Sequence, residues 1–269
     1  RNALPQPPSP SSPSPGHPPW TGGRIRPMTR PALPAGICFD YGSTLVEFSR
    51  PVAAIAAAGE DLAGKLPLGG SAWHGTAGEF AVALDLLLDR LIAEGHRELG
   101  TREVDIEGIR KQAIQQLLGC DLNPELDAEL EVGLQRAWVA GAHPVEPALR
   151  VLDQLKARGV RIGLCSNAPY PPALMYEQLD RLDLRRYFDA VLFSSEIGWR
   201  KPDPRIFSEL LTRLGLPPGS VWFVGDEWEA DIEGARRVGM RAILTPAATA
   251  PDQVREQLSH WVDLVKLVG

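Results

Sequence analysis

Short apolar runs and amphipathic stretches follow one another along most of the chain, and their order predicts its architecture. Residues 36–39 (Gly-Ile-Cys-Phe) form an apolar run ending at Asp40, the pattern of a strand buried on both faces. Residues 51–142 contain almost no β-branched runs and read as helices. An alanine-rich stretch at 53–58 is followed by amphipathic stretches at 80–92, 106–118 and 126–139, punctuated by Gly69-Gly70, Gly95 and Asn123-Pro124. From residue 146 the pattern alternates. Helices are predicted over 146–158, 172–184, 204–214 and 230–238, each feeding an apolar strand, at 160–165, 190–193, 221–224 and 241–244. Alternating helices and buried strands predict an α/β fold, a parallel sheet flanked by helices. The block at 51–142 separates the first strand from the others and therefore reads as an inserted helical domain.

Three segments follow from this pattern. Residues 1–34 hold 11 of the 25 prolines, with interspersed serines and few large apolar side chains, and read as a disordered tail. That tail has no apolar signal-peptide stretch, and Met28, just before the first core-like run, is a candidate working start. Residues 35–50 and 143–269 form the Rossmann-like core, and 51–142 the helical insertion.

Charge narrows the partners. Residues 1–39 carry four arginines and no acid, leaving 24 basic and 34 acidic side chains on the rest. A body that acidic has no basic footprint for nucleic acid. No apolar run reaches the ~18 residues of a membrane span. Cys38, Cys120 and Cys165 are an odd count without Cys-x-x-Cys spacing, which argues for a reduced, cytoplasmic protein. There is no P-loop, no His-Glu-x-x-His and no strand-to-helix Gly-x-Gly-x-x-Gly.

In an open parallel sheet, ligands bind beyond the carboxyl ends of the strands. After the predicted strands come Asp40-Tyr41-Gly42-Ser43-Thr44-Leu45, Ser166-Asn167, a loop reaching Lys201-Pro202-Asp203-Pro204, and Gly225-Asp226…Asp231. Carboxylates, a hydroxyl and an ammonium group converging on one crevice suit Mg²⁺-assisted phosphoryl transfer. Mg²⁺ takes oxygen ligands, a carboxylate can act as a covalent nucleophile, and a lysine offsets phosphoryl charge. Among the remaining candidates, His74, His96 and His143 read as structural. Trp73, Arg90 and Arg97 are secondary candidates for specificity on the side of the helical insertion.

These four pieces, in this order, resemble the four motifs of the haloacid dehalogenase (HAD) superfamily, over residues 36–245 and with a helical cap between the first two. The resemblance implies a hydrolase, most simply a phosphatase of a small phosphorylated metabolite, with an α-helical C1 cap. It implies Asp40 as nucleophile and metal ligand and Ser166 as a phosphoryl hydrogen-bond donor. Lys201 would neutralise charge, while Ser43, Thr44 and Asn167 contact substrate. Mg²⁺ would be held by Asp40, the Gly42 carbonyl, Asp226 and Asp231. One position departs from the family. Its phosphatases usually carry a second aspartate, a general acid and base, where this chain has Gly42, and Ser43 replaces the glycine beside it. That departure keeps three alternatives open: a C–halogen hydrolase, a C–P hydrolase using a cap lysine such as Lys65, and a binding protein with weakened catalysis. Neither substrate identity nor oligomeric state has a signature in the sequence.

Overall fold

The computed structural model describes residues 33–70, 72–248 and 256–269, so the expectation for residues 1–34 lies almost wholly outside the described part. The core is a five-stranded parallel sheet of β1 (Gly36–Phe39), β4 (Arg161–Ser166), β5 (Ala190–Phe193), β6 (Val221–Gly225) and β7 (Arg241–Leu244), in the order β5-β4-β1-β6-β7. Alternate strand residues build two apolar faces. Ile37, Phe39, Ile162, Leu164, Trp222 and Val224 pack on one side with α5 (Glu146–Ala157), α6 (Pro172–Arg181) and α10 (Trp261–Leu267). Cys38, Cys165, Leu192 and Phe223 pack on the other with α8 (Pro204–Leu214) and α9 (Gly234–Arg237). Both faces are covered, which explains why the strands read as continuous apolar runs rather than alternating ones.

The insertion comprises α1 (Val52–Glu60), α2 (Ala77–Leu99), α3 (Ile106–Leu118) and α4 (Pro124–Ala137). Its helices carry local start signals. Thr76 and Glu79 form a reciprocal capping box, Asp105 caps α3, and Asn123 caps α4 ahead of Pro124. Their apolar stripes close a separate core around Phe80, Leu84, Ile114 and Leu130. Inside it, the buried Arg110 guanidinium makes a two-pronged pair with Asp127, at 2.8 and 2.9 Å.

Insertion and core are joined by a short antiparallel ribbon that the sequence pattern does not predict, β2 (Val46–Phe48) with β3 (Ala142–Pro144). Three-residue strands are too short for periodicity to reveal. The predicted helix at 230–238 is also remodelled. Trp228–Glu233 forms a wide π-type turn before α9, and a short helix, α7 (Ser194–Ile197), follows β5 directly.

Helices α1 and α2 approach closely at Gly59, where a Cβ would lie 2.3 Å from the Ala77 carbonyl oxygen and 2.6 Å from Ala81 Cβ. Gly59→Ala is therefore expected to lower stability by about 1–3 kcal/mol despite alanine's better helix propensity. Gly64→Ala, with open space around it, is expected to stay within about 0.5 kcal/mol. Denaturant midpoints of the two variants check the contrast.

Candidate active site

The strand order reverses at β1, which lies between β4 and β6, and this switch point brings distant segments together. Phe39 is in register with Leu164 and Val224, so Asp40 follows β1 beside the ends of both neighbours. Ser166 is the last residue of β4 and Asp226 the first after β6. Lys201 comes from the loop between α7 and α8.

The centre of the cluster is the Lys201 ammonium. Nζ donates to Asp40 Oδ1 at 2.5 Å and to Asp231 Oδ1 at 2.6 Å. The lysine is 4 % exposed and Asp231 1 %. The wide turn at 228–233 folds Asp231 back over Gly225, whose Cα approaches the carboxylate so closely that a Cβ would overlap it, at 2.2 Å. Asp231 Oδ2 also accepts the Glu227 N–H at 3.0 Å. One oxygen of Asp231 thus holds the lysine and the other holds its own turn.

Ligand atoms of Asp40, Asp226 and Asp231 lie within 4.8 Å of one another. Three carboxylates sharing one ammonium leave excess negative charge in a buried place. Burial pushes the Asp40 pKa up from 3.8 to about 7; Lys201 opposes the rise, while Asp231 and Asp226 add to it. Burial and then Asp231 raise Asp226 as well. Burial disfavours the charged form of Lys201, but Asp231 and Asp40 outweigh it and drive its pKa upward. An all-oxygen, over-charged donor set of this kind fits a hard divalent cation.

The predicted substrate-contact residues divide. Ser43 and Ser166 line a cavity of about 360 Å³ together with Asp40, Gly42, Lys201, Asp226 and Asp231. Ser43 has φ +56°, a left-handed conformation that accounts for the glycine usual at this position. Thr44 is fully buried and outside the cavity lining, and its hydroxyl donates to Asp226 Oδ1 at 3.0 Å. Asn167 lines the cavity, but its amide clasps the Lys201 main chain. Oδ1 accepts the Lys201 N–H at 2.7 Å, and Nδ2 donates to the Lys201 carbonyl at 3.1 Å. These two side chains hold Asp226 and Lys201 in position.

The insertion supplies Asp89, Gln135 and Trp138 to the cavity, and the core adds Phe48, Tyr170 and Met175 as an apolar wall. None of the insertion residues singled out from sequence lines it. Lys65 pairs with Glu129, His96 with Glu103, and His143 contacts Ser49 beside the ribbon. Arg90 and Arg97 are exposed elsewhere on α2. Asp89 and Gln135 sit on ordinary amphipathic helices, and only the tertiary arrangement brings them to the core. Arg50 fixes that arrangement, pairing with Asp89 and, at 2.7 Å, with Asp85, which also accepts the Trp138 indole N–H at 2.9 Å.

Fold, switch-point cluster and helical insertion together define a family, and residues 34–239 match its pattern, described as haloacid dehalogenase-like hydrolase. The chain belongs to that family. It is 35 % identical over 123 residues to a glyceraldehyde 3-phosphate phosphatase of Methanopyrus kandleri, covering 46 % of this chain and 52 % of the relative. It is 32 % identical over 147 residues to a phosphoserine phosphatase of Thermus thermophilus, covering 54 % and 56 %. The chain thus spans about half the length of the curated relatives it matches. Its fold resembles that of a 2-haloacid dehalogenase from Pseudomonas syringae, with TM-score 0.60 and 22 % identity over 86 % of this chain and 96 % of that one. A HAD phosphatase from Thermococcus onnurineus aligns with TM-score 0.57 and 22 % identity over 87 % and 97 %. Among the described residues, no helix is long and apolar enough to cross a membrane.

The raised pKa of Asp40 has a definite sign. Protonated Asp40 contributes stability to the metal-free protein that is complete below about pH 3.8 and lost as pH rises through about 7. A divalent cation needs the ionised carboxylate and must displace that proton. Apparent metal affinity should therefore rise with pH and level off above about 7. Calorimetric titrations near pH 6, in buffers of different ionisation heat, should register proton release. An affinity that stays flat across this range would contradict the electrostatic account.

Proposed function

We propose that this chain is a Mg²⁺-dependent phosphatase of small phosphorylated metabolites, acting through an aspartyl-phosphate on Asp40. The observation that carries the reading is the trio of Asp40, Asp226 and Asp231 around Lys201 at the floor of a cavity of about 360 Å³. The similarity to phosphatases over about half their length supports it. Asp40 and Asp226 would hold Mg²⁺ with the Gly42 carbonyl, and Asp231 would anchor Lys201 against the same ion. When bound, the ion would offset the charge of the phosphoryl oxygens and favour the ionised form of Asp40.

Each residue then has a defined task. Lys201 engages Asp40 Oδ1, which leaves Oδ2 to attack phosphorus. The new Asp40–phosphorus bond forms as the bond to the leaving oxygen breaks. The Ser166 hydroxyl and the third Nζ hydrogen of Lys201 donate to the phosphoryl oxygens, where fixed donors contribute most. Asn167 holds the Lys201 main chain, and Thr44 orients Asp226. Water then attacks the acyl-phosphate and releases phosphate and free Asp40. The apolar wall of Phe48, Trp138 and Tyr170 limits solvent around the reacting groups. The surplus of carboxylates over lysine favours this metal-assisted chemistry over carbon–halogen displacement.

Gly42 offers no proton to the leaving oxygen, so the protein should prefer acyl or aryl phosphates, whose leaving groups need none. Asp40→Asn is expected to abolish phosphate release from acetyl phosphate while far-ultraviolet circular dichroism stays unchanged; full activity in that variant would refute the mechanism. There is room to restore the missing acid, since a Cβ at Gly42 meets nothing closer than the Phe48 ring at 3.8 Å. Gly42→Asp should raise kcat for an alkyl monoester, within the ~10²–10⁴-fold that general acid catalysis typically contributes. Steady-state assays on glycerol 3-phosphate measure it, and no gain would mean that protonation does not limit the reaction.

A further inference from the structure

The cavity wall contains two cations, Lys201 and Arg200. They differ in one respect. Lys201 directs two of its donors at Asp40 and Asp231. Arg200 makes no side-chain hydrogen bond or ion pair among the described residues, and its Nε is a buried donor without a partner. The neighbouring Arg205 pairs with Asp203 and stacks on Trp199, and the exposed Arg102 lies over the same indole at 5.4 Å. A buried guanidinium N–H left unsatisfied is costly, and such a group in a native protein calls for a partner outside the chain.

The backbone holds Arg200 in place. Its N–H donates to the Thr101 carbonyl at 2.9 Å, its carbonyl accepts from the Asp203 N–H at 2.9 Å, and Trp199 forms a β-bridge with Arg102. The loop carrying Arg200 and Lys201 is thus strapped to the segment after α2. An always charged, planar fork on an anchored main chain suits a carboxylate, which it can grip with two parallel hydrogen bonds. Glu227, which also lines the cavity, feels the charge of Arg200, yet the two form no ion pair among the described residues.

We propose that Arg200 is a specificity-determining residue that binds a carboxylate on the phosphorylated substrate, so that among small substrates with comparable leaving groups those carrying a free carboxylate are preferred. This deepens the phosphatase reading and rests on it for the position of the phosphoryl group. A cavity of about 360 Å³ admits a metabolite of a few carbons, with its phosphoryl end at Asp40 and its acid at Arg200.

The test uses equilibrium binding, so that its failure is separable from failure of the phosphatase reading. Isothermal titration of the full chain with Mg²⁺ compares phosphonoacetate with ethylphosphonate, which differ chiefly in a carboxylate and cannot release phosphate by P–O cleavage. The wild type is expected to favour phosphonoacetate by about 10- to 100-fold, the size of effect that hydrogen bonds to a charged group produce. Arg200→Gln should reduce that ratio to near one, and Arg200→Lys, which keeps the charge without the fork, should retain part of it. A ratio near one in the wild type, an unchanged ratio in Arg200→Gln, or no binding of either ligand would overturn the proposal. An equal loss of both ligands in Arg200→Gln would also overturn it, by assigning the arginine to the phosphonyl group. An Arg200-dependent preference in a protein that hydrolyses no phosphate ester would sustain the inference and remove the phosphatase reading instead.

Discussion

The site depends on one buried charge arrangement, the Lys201 ammonium between Asp40 and Asp231. The buried ammonium has its charge met by these two carboxylates, and removing either would leave it short of a partner in a place water does not reach. Each comes from a different stretch of chain, so forming the cluster requires the sheet to be assembled in the observed order. Asn167 closes the arrangement by holding both main-chain polar atoms of Lys201. Gly225 permits it, because any side chain there would displace Asp231. The local stability and the chemistry therefore rest on the same contacts.

The remaining negative charge gives the site its direction. One ammonium does not balance Asp40, Asp226 and Asp231, and the imbalance is what makes a divalent cation a fitting occupant. The insertion completes the enclosure from the other side, held by Arg50 across Asp85 and Asp89 and by the Thr101–Glu103 segment against the loop before Lys201. Core and insertion thereby build a small cavity with an acidic floor, an apolar wall and one guanidinium that has no hydrogen bond or ion pair among the described residues.

Much of this was legible in the chain before any coordinates. The strands are short apolar runs, and each candidate polar residue follows one directly or after a loop, so Asp40, Ser166, Lys201, Asp226 and Asp231 could be grouped at one end of the sheet. What escaped has physical reasons. The β2–β3 ribbon is too short to show a period, and α10 lies beyond the last clear alternation. The wide turn at 228–233 has the composition of an ordinary helix, although its extra residue per turn is what returns Asp231 to Lys201. Thr44 and Asn167 were expected to face substrate, and a sequence cannot reveal that their polar atoms are engaged by Asp226 and the Lys201 backbone. Asp89, Gln135, Trp138 and Arg200 left no linear signal either, because their roles depend on which faces of separate elements meet.

The central claim is that Asp40 is poised as a nucleophile by the lysine and acids around it. The most direct test is rapid-quench peptide mass spectrometry of the protein mixed with acetyl phosphate and Mg²⁺. The account predicts a transient phosphoryl adduct on the peptide containing Asp40, absent when the metal is chelated. Phosphate release without an adduct at Asp40, or an adduct on another residue, would contradict it.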